Sequence, residues 1–506
     1  MKTQRRVFCK KETKDFVYVH QLNLKLPQPQ NLERALEQIT HVFWKIISFK
    51  LFNLAIVQGL NGLKMEFNHG GSTRGSKRPR ESEDHPASKQ SKSSGKSMSP
   101  QQALAQHGSK LTLFEKAEIV TFPQIYYLGL EANKIGKILS TTSGPNDGYD
   151  DSEKFYIHRM HDHISYRYEL LESLGKGDTS QVFKALDHKT GAHVALKIIR
   201  NEDHLQIDAE QEIQLKNNAN AVEILDSFQF RNHSCIVFEL LARNLSRLKF
   251  ETCYKGFTPQ QVKKFIIPVL QCLQSLSQKE IVHGDLNLEN TLLKQEYRDE
   301  IKVIDFGSSL FLNEEGSTSP YLQGCAYRAP ELILGIEYGT PVDMWAVGCV
   351  VVELFTGQKL VPGEDEQDQM ACILEMLGKP PNGYLQKATR AKEFFSDKNN
   401  MIPAYCEEKT KKNGKKILVP KRKESGKIRG PPGTRDLELV LGMQGAVKPV
   451  FLDFVKRCLH WVPEARLKPS QALAHPWIKK MRSKSLTKNG NVGGGGGVAF
   501  AGNVAA

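Results

Sequence analysis

The sequence Ile281-Val-His-Gly-Asp-Leu-Asn-Leu-Glu-Asn290, followed by Ile304-Asp-Phe-Gly307, carries the most specific chemical pattern in this chain of 506 residues. It places the acid Asp285 five residues before the carboxamide of Asn290, and a second acid, Asp305, fifteen residues after it. Carboxylate and carboxamide oxygens are ligands that Mg²⁺ prefers. Asn290 and Asp305 are therefore candidate magnesium ligands, and Asp285 is a candidate for accepting or orienting a substrate proton.

A glycine-containing turn and a charged pair precede this loop. Gly175-Lys-Gly177-Asp-Thr-Ser180-Gln-Val182 lies between two predicted strands, where glycines let backbone amides approach phosphate oxygens. Val194-Ala-Leu-Lys197 ends the next strand with a lysine, and Glu212 follows in a predicted helix, with Glu210 as the alternative partner. Each feature is weak alone, because glycine-rich turns and surface Lys/Glu pairs are common.

Further motifs follow the loop in a fixed order. Ala329-Pro-Glu331 closes a segment that begins at Asp305, Asp343 to Gly348 reads as a buried helix anchoring the loop, and Arg466 is the expected ion-pair partner of Glu331. Together the motifs resemble those of protein kinases. This implies an α+β fold of two lobes, with a β-rich N-lobe and an α-helical C-lobe. The periodicity agrees, since strand-type runs come first and helical spacing dominates after Phe257.

Several segments resemble one kinase family in particular, the dual-specificity tyrosine-phosphorylation-regulated kinases (DYRK family, CMGC group). They are the box His161-Asp-His163 before Tyr166-Arg-Tyr168, the hinge Phe230 to Leu245 with Phe238 as gatekeeper, and the C-lobe segments Leu360 to Cys372 and Gly430-Pro-Pro432. Leu111 to Leu130 and Ser143 to Asp151 resemble the accessory patches of class II members. The resemblance covers roughly Lys110 to Ile478, about three quarters of the chain.

The resemblance implies ATP- and Mg²⁺-dependent phosphorylation of serine and threonine in protein substrates, after autophosphorylation of an activation-loop tyrosine. Tyr321 occupies the second position of the family's Tyr-x-Tyr motif, and Arg328 is expected to bind its phosphate. Glu289 is expected to bind a substrate arginine that precedes the target hydroxyl. The Tyr327-Arg328 segment is expected to accept a substrate proline that follows it. The implied catalytic residues are Asp285, Lys197, Glu212 and Asn290, and the implied nucleotide-binding residues are Leu174, Gly175, Lys176, Gly177, Asp178, Thr179, Ser180, Gln181, Val182, Ala195, Lys197, Phe238, Glu239, Leu240 and Leu241.

Three residues depart from the family pattern at positions that contact phosphate. Ser180 replaces a glycine, Asn287 a lysine and Cys325 an arginine. The lysine that Asn287 replaces would neutralise charge on the transferring phosphoryl group, and losing one such contact typically costs about 10²–10³ in rate. A slowed kinase is the favoured interpretation. A pseudokinase or weakly active ATP-binding scaffold stays open as the alternative.

The composition predicts five regions. Residues 1–67 are an N-terminal extension of unknown structure, 68–109 a disordered basic linker, 110–160 the class II accessory region, 161–478 the kinase domain, and 479–506 a disordered glycine-rich tail. The linker and tail have too few apolar side chains to bury a core.

Charge and cysteine usage limit the partners. The net charge of +14 is concentrated in Gly75 to Arg80 and in Lys409 to Arg429. The second run lacks interleaved aromatics, so nucleic acid is not expected as a partner.

The longest uncharged apolar run, Leu51 to Leu63, is too short to span a bilayer, so no membrane partner is expected. Nine cysteines without metal-ligand spacing fit reduced thiols. We expect a monomer in the cytoplasm, the nucleus or both.

Overall fold

The computed structural model describes residues 96–135, 145–216, 218–312, 322–396, 402–421, 428–442 and 448–479. The predicted N-terminal extension, residues 68–95 of the linker and the tail from residue 480 lie outside the described residues, and so does Tyr321.

The N-lobe is built on a six-stranded antiparallel sheet with the strand order β1-β2-β3-β4-β6-β5. Its strands are β1 (His163–Ile164), β2 (Tyr168–Lys176), β3 (Ser180–Asp187), β4 (Ala192–Ile199), β5 (Ile224–Phe230) and β6 (His233–Glu239). Along β3, buried and partly exposed residues alternate, which is the period expected of a strand with one face on the core. The sheet therefore holds the predicted glycine turn, between β2 and β3, at one end.

The accessory region and the end of the predicted linker before it pack on this lobe through two short helices. Helix α1 (Pro100–His107) begins with a capping box between Ser99 and Gln102, and helix α2 (Leu113–Glu118) with one between Thr112 and Glu115. The prediction of disorder through residue 109 is wrong for α1, because the capping box satisfies its first amides and Ala103 is fully buried. An apolar cluster joins the region to the lobe: Ala103, Leu111, Ile119, Ile125, Leu128 and Tyr166.

A buried polar cluster fixes the same region. Glu115, Asp162 and His163 bring ligand atoms close enough to hold a metal ion. The Lys134 ammonium occupies this cluster instead, since it bonds to Glu115, to Leu128 O at 2.7 Å and to Asp162 Oδ1 at 3.3 Å. Burial opposes ionisation of Glu115, but His163 and Lys134 outweigh it and hold the pKa of that carboxyl well below its usual range. The cluster is thus a salt bridge that clamps the accessory region to β1.

The C-lobe is helical, as predicted. Helix α3 (Asp203–Gln214) follows β4 and belongs to the N-lobe. The C-lobe helices are α4 (Leu245–Glu251), α5 (Pro259–Ser277), α6 (Pro330–Leu334), α7 (Pro341–Thr356), α8 (Glu366–Leu377), α9 (Asn382–Gln386), α10 (Ala391–Phe394), α11 (Leu437–Leu441), α12 (Lys448–Cys458), α13 (Pro469–Ala474) and α14 (Pro476–Lys479). Within the described ranges, no helix combines the length and the apolar character needed to cross a membrane.

Three small two-stranded ladders complete the C-lobe. Strand β7 (Ile281–Val282) pairs with β10 (Leu310–Phe311), and β8 (Thr291–Leu293) pairs with β9 (Ile301–Val303). Part of the basic run from Lys409 to Arg429 lies in a hairpin of β11 (Cys406–Thr410) and β12 (Lys416–Pro420). The first two ladders bracket the loop from His283 to Asn290 and therefore fix its ends.

The predicted ion pair between Glu331 and Arg466 is confirmed. Both nitrogens of the guanidinium fork reach the carboxylate, at 2.6 and 2.7 Å, and neither side chain is exposed. The Arg466 guanidinium also lies 5.2 Å from the centre of the Trp345 ring, on α7. The pair joins the Ala329-Pro-Glu331 motif to the helical core 135 residues away in sequence.

Candidate active site

Helix α7 anchors the candidate catalytic loop, His283 to Asn290. The Asp343 carboxylate accepts hydrogen bonds from His283 N at 2.8 Å and Gly284 N at 3.1 Å. Burial raises the pKa of Asp343 to about 6, although these two amides stabilise its charged form. Gly284 has φ +78°, and a Cβ there would lie 2.5 Å from Ser308 O, so the close approach requires glycine. The predicted role of the Asp343 helix as anchor is confirmed.

His283 connects this loop to the Asp-Phe-Gly turn. Its Nδ1 accepts from Asp285 N at 3.2 Å, and its Nε2 lies 3.2 Å from Ile304 O. Burial lowers the pKa of His283 to about 4, so the ring is neutral at physiological pH and Nε2 carries the proton that Ile304 O accepts. The imidazole thereby holds Asp285 and the turn beginning at Ile304 at a fixed separation.

Asp285 and Asn290 contact each other directly. The Asn290 amide nitrogen donates to Asp285 O at 2.9 Å and to Asp285 Oδ2 at 2.8 Å. Burial and the charge of nearby Asp305 raise the pKa of Asp285. Since a metal binds a carboxamide through its oxygen, the Asn290 side-chain oxygen is the atom available to a metal ion, while its nitrogen orients Asp285.

Lys197, Glu212 and Asp305 form the second half of the site. Lys197 Nζ lies 2.8 Å from Glu212 Oε2 and 2.9 Å from Asp305 Oδ1. Burial opposes the charge of Lys197, but the two carboxylates outweigh it and raise the pKa of Lys197 above its usual value. The Lys197 ammonium in turn holds the pKa of Asp305 below its usual range. Glu210 is exposed, so Glu212 and not the alternative is the partner.

Helix α3 delivers Glu212 because its buried face includes Leu205, Ala209 and Glu212, spaced three and four residues apart. Glu212 Oε1 also accepts from Phe306 N at 3.3 Å. Asp305 has φ +62°, a conformation that is costly for a non-glycine residue and concentrates at functional sites. At the site, the two lobes are therefore joined by two contacts, that of Lys197 with Asp305 and that of Glu212 with Phe306 N.

The glycine turn is exposed from Leu174 to Thr179. Neither Gly175 nor Gly177 has positive φ, and a Cβ at either position would meet no atom within 4 Å. The protein fold itself thus does not require these glycines, which fits a role in approach to a ligand. Ser180 is buried as the first residue of β3, opposite Ile199, so its replacement of glycine falls in the strand and not at the tip of the turn.

The predicted hinge residues lie where the sheet meets the C-lobe. Phe238 on β6 is buried and pairs in register with Ala195 on β4, so the gatekeeper and Ala195 are neighbours. Glu239 Oε1 accepts from Glu223 N at 2.9 Å and lies 3.2 Å from Lys302 Nζ. Leu240 and Leu241 follow in partly exposed backbone. These residues and Lys197 lie on β4, β6 and the segment after β6, as a nucleotide site between lobes requires.

The side chain of Asn287 has a role that sequence reasoning missed. Its Oδ1 accepts from Glu289 N at 2.8 Å and Asn290 N at 2.9 Å, and its Nδ2 donates to Asp285 O at 3.2 Å. The side chain is folded into the catalytic loop. Asn287 therefore removes a positive charge but also shapes the turn that presents Asn290, which is a common use of Asn.

Arg328, the predicted phosphotyrosine ligand, is engaged with protein groups. Its guanidinium donates to Glu366 Oε1 at 2.7 Å, to Leu322 O at 3.1 Å and to Gln323 O at 2.8 Å. Cys325 lies 3.9 Å from Gly363 O. Tyr321 lies outside the described residues, so its contact with Arg328 stays a prediction.

Comparison with known proteins places this geometry in a family. A protein kinase domain matches residues 168–478. The chain is 45% identical over 407 residues to the human protein named dual specificity tyrosine-phosphorylation-regulated kinase 3, covering 78% of this chain and 68% of the human one. It is 45% identical to the putative kinase 3 homolog of Drosophila melanogaster and 44% identical to kinase mbk-2 of Caenorhabditis elegans, matching 78% and 75% of this chain. The matches span about half the length of the fly and worm proteins, 48% and 47%.

Proposed function

This chain belongs to the class II dual specificity tyrosine-phosphorylation-regulated kinases, a family of protein kinase enzymes, and from this premise we propose that it transfers the γ-phosphoryl group of ATP to serine and threonine hydroxyls of protein substrates. The observation that carries the proposal is the assembled ion-pair chain Glu212–Lys197–Asp305 beside the bonded pair Asp285–Asn290. Pseudokinases typically lack one of these groups. The scaffold alternative gains no support from these relatives, which are all named as kinases.

Each residue has a role that follows from its chemistry. Lys197, held by Glu212, is placed to bind the α- and β-phosphates through its ammonium. Asp285 accepts or orients the proton of the attacking hydroxyl, whose oxygen forms the new bond to the γ-phosphorus as the bond to the bridging oxygen of ADP breaks. Asn290 keeps the Asp285 carboxylate in position through its amide.

The donor set fits Mg²⁺. The Asp305 carboxylate and the Asn290 carbonyl are hard oxygen donors, and the low pKa of Asp305 keeps it charged. When bound, the ion neutralises phosphate charge. We assign Asn290 and Asp305 as its ligands.

We further propose autophosphorylation of Tyr321. The activation segment between Asp305 and Glu331 contains this tyrosine, and the residue bonded to it, Leu322, contacts the Arg328 guanidinium. The test is to express the wild type and Asp285→Asn in bacteria, which lack other kinases of this family, and to analyse both by mass spectrometry. We expect phosphate on Tyr321 of the wild type and none on Tyr321 of Asp285→Asn. An unmodified Tyr321 in a wild type that phosphorylates a basic serine substrate would contradict self-activation but leave the main proposal standing.

Substrates with an arginine before and a proline after the target residue, a monomeric state, and residence in cytoplasm, nucleus or both stay predictions. Exposed Glu289 supports the first, since its carboxylate is accessible to a substrate guanidinium.

The rate is expected to fall in acid through titration of Asp285. Its raised pKa means that the carboxyl takes up a proton above the ordinary value of about 3.9. Only the ionised form accepts the hydroxyl proton, so kcat/KM should decline as the pH falls through that raised pKa and be constant above it. A pH profile of kcat/KM, with circular dichroism at each pH to verify folding, measures this. A rate that does not change down to pH 4 in folded protein would contradict the assignment.

A further inference from the structure

Residues Asp150 to His158 of the accessory region, called the accessory segment below, contact the glycine turn. No sequence motif predicted this contact. Phe155 is buried, with 3% of its surface exposed. The Lys176 ammonium, between the two glycines of the turn, lies 3.7 Å from the centre of the Phe155 ring, and the Arg200 guanidinium lies 5.5 Å from it. Lys176 Nζ is also 3.8 Å from Asp151 Oδ2 and 3.6 Å from Glu153 Oε2. The side chain of Lys176 is thus held by this segment.

The same segment contacts the other side of the turn. Gln181 Nε2, at the start of β3, donates to Tyr156 O at 3.2 Å. Arg200 N donates to Thr179 O at the tip of the turn at 2.9 Å, and the next residue, Asn201, donates its N–H to Lys154 O at 2.9 Å. The accessory segment therefore contacts both strands of the turn directly, at Lys176 on β2 and Gln181 on β3. It is linked to the tip, at Thr179, through Arg200 and Asn201.

The turn depends on these outside contacts because its own residues make few contacts that would order it. Its residues are exposed, and both glycine positions face open space. A glycine-containing turn has high conformational freedom, and a ligand that orders it loses that entropy from its binding free energy. External contacts that order the turn in advance remove this cost.

We propose that the accessory segment is a positioning element for the nucleotide turn, with Phe155 as its central residue and Lys176 as an anchor rather than a phosphate ligand. The inference rests on the proposed function, since the ligand of the turn is the triphosphate of ATP. The accessory segment is expected to increase the affinity for ATP and to leave the rate of the chemical step unchanged.

The test is the affinity of the full-length protein for Mg²⁺–ATP in Phe155→Leu, which keeps an apolar side chain but removes the aromatic face. The KM for ATP should rise about two- to fivefold, the factor that an exposed cation–π contact is worth, while kcat and the KM for a peptide substrate stay unchanged. Phe155→Tyr, which keeps the ring face, should restore the wild-type value. The matched control is Phe122→Leu, in the same accessory region but packed on Tyr166 at 4.8 Å between ring centres.

Equal KM values for ATP in the wild type, Phe155→Leu and Phe122→Leu would overturn the proposal. A rise of the same size in both variants would also overturn it, because it would reflect general loosening of the lobe. If Phe155→Leu does not fold, the double change Asp151→Asn and Glu153→Gln replaces it, since both carboxylates lie near Lys176 from the accessory segment. It should raise the KM for ATP, and an unchanged KM would overturn the proposal. Calorimetric titration with Mg²⁺–ATP gives the same comparison without turnover, so an inactive wild type would refute the proposed function while leaving this inference separately measurable.

Discussion

Asp285→Asn is expected to lower the rate of phosphoryl transfer by about 10²–10⁴, the contribution of a positioned proton acceptor. Asparagine has the same shape, and its side-chain oxygen can still accept the Asn290 amide that now bonds to Asp285 Oδ2 at 2.8 Å. It cannot, however, take up a proton from the attacking hydroxyl. Steady-state transfer of labelled phosphate to a basic serine substrate measures the loss.

The change should affect kcat and leave ATP binding unaltered, because Lys197 and Glu212 lie elsewhere and keep their 2.8 Å contact. Calorimetric affinity for Mg²⁺–ATP and thermal unfolding serve as controls. A variant that folds, binds ATP and transfers phosphate at the wild-type rate would refute the role assigned to Asp285.

Asn287→Lys is expected to raise kcat, by up to the factor of about 10²–10³ that one charge-stabilising contact supplies. A lysine here adds a cation beside the phosphoryl group in transit. It also removes the Asn287 oxygen that now accepts from Glu289 N and Asn290 N. We therefore expect the faster enzyme to be less stable, by roughly 1 kcal/mol in the free energy of unfolding.

Asn287→Ala is the matched control, since it removes the same three side-chain hydrogen bonds without adding charge. It should lose the same stability and gain no rate. If Asn287→Lys is no faster than the wild type, charge at this position does not limit transfer. If Asn287→Lys binds ATP and still transfers no phosphate, the scaffold alternative is correct.

The catalytic groups could be predicted from the sequence because each belongs to a short local pattern. Lys197 lies on a strand, Glu212 lies on the buried face of a helix, and Asp285 and Asn290 share one turn, so their order and spacing, matched to the protein-kinase motifs, indicated their roles. Helix α1 was missed because half of its residues are polar, and the features that hold it are a capping box and the burial of Pro100 and Ala103.

The contacts of Asn287 and Arg328 could not be predicted in the same way. Asn287 was interpreted only as a missing charge, although its side chain makes three hydrogen bonds within the loop. The family pattern predicts that Arg328 binds phosphate, but it gives no sign of the contact of Arg328 with Glu366, 38 residues later in the sequence. A side chain's rotamer and its distant partners depend on packing and leave no periodic signal in the sequence.

The sequence by itself determined the family, the two-lobed fold and the identity of the groups for phosphoryl transfer, because these follow from residue types at fixed spacing along the chain. Only the tertiary structure decided which carboxylate pairs with Lys197, what Asn287 and Arg328 contact, and how Phe155 meets the turn at Lys176. These contacts join segments whose separation in space is set by the folding of the whole domain, so local sequence carries the chemistry and long-range packing positions it.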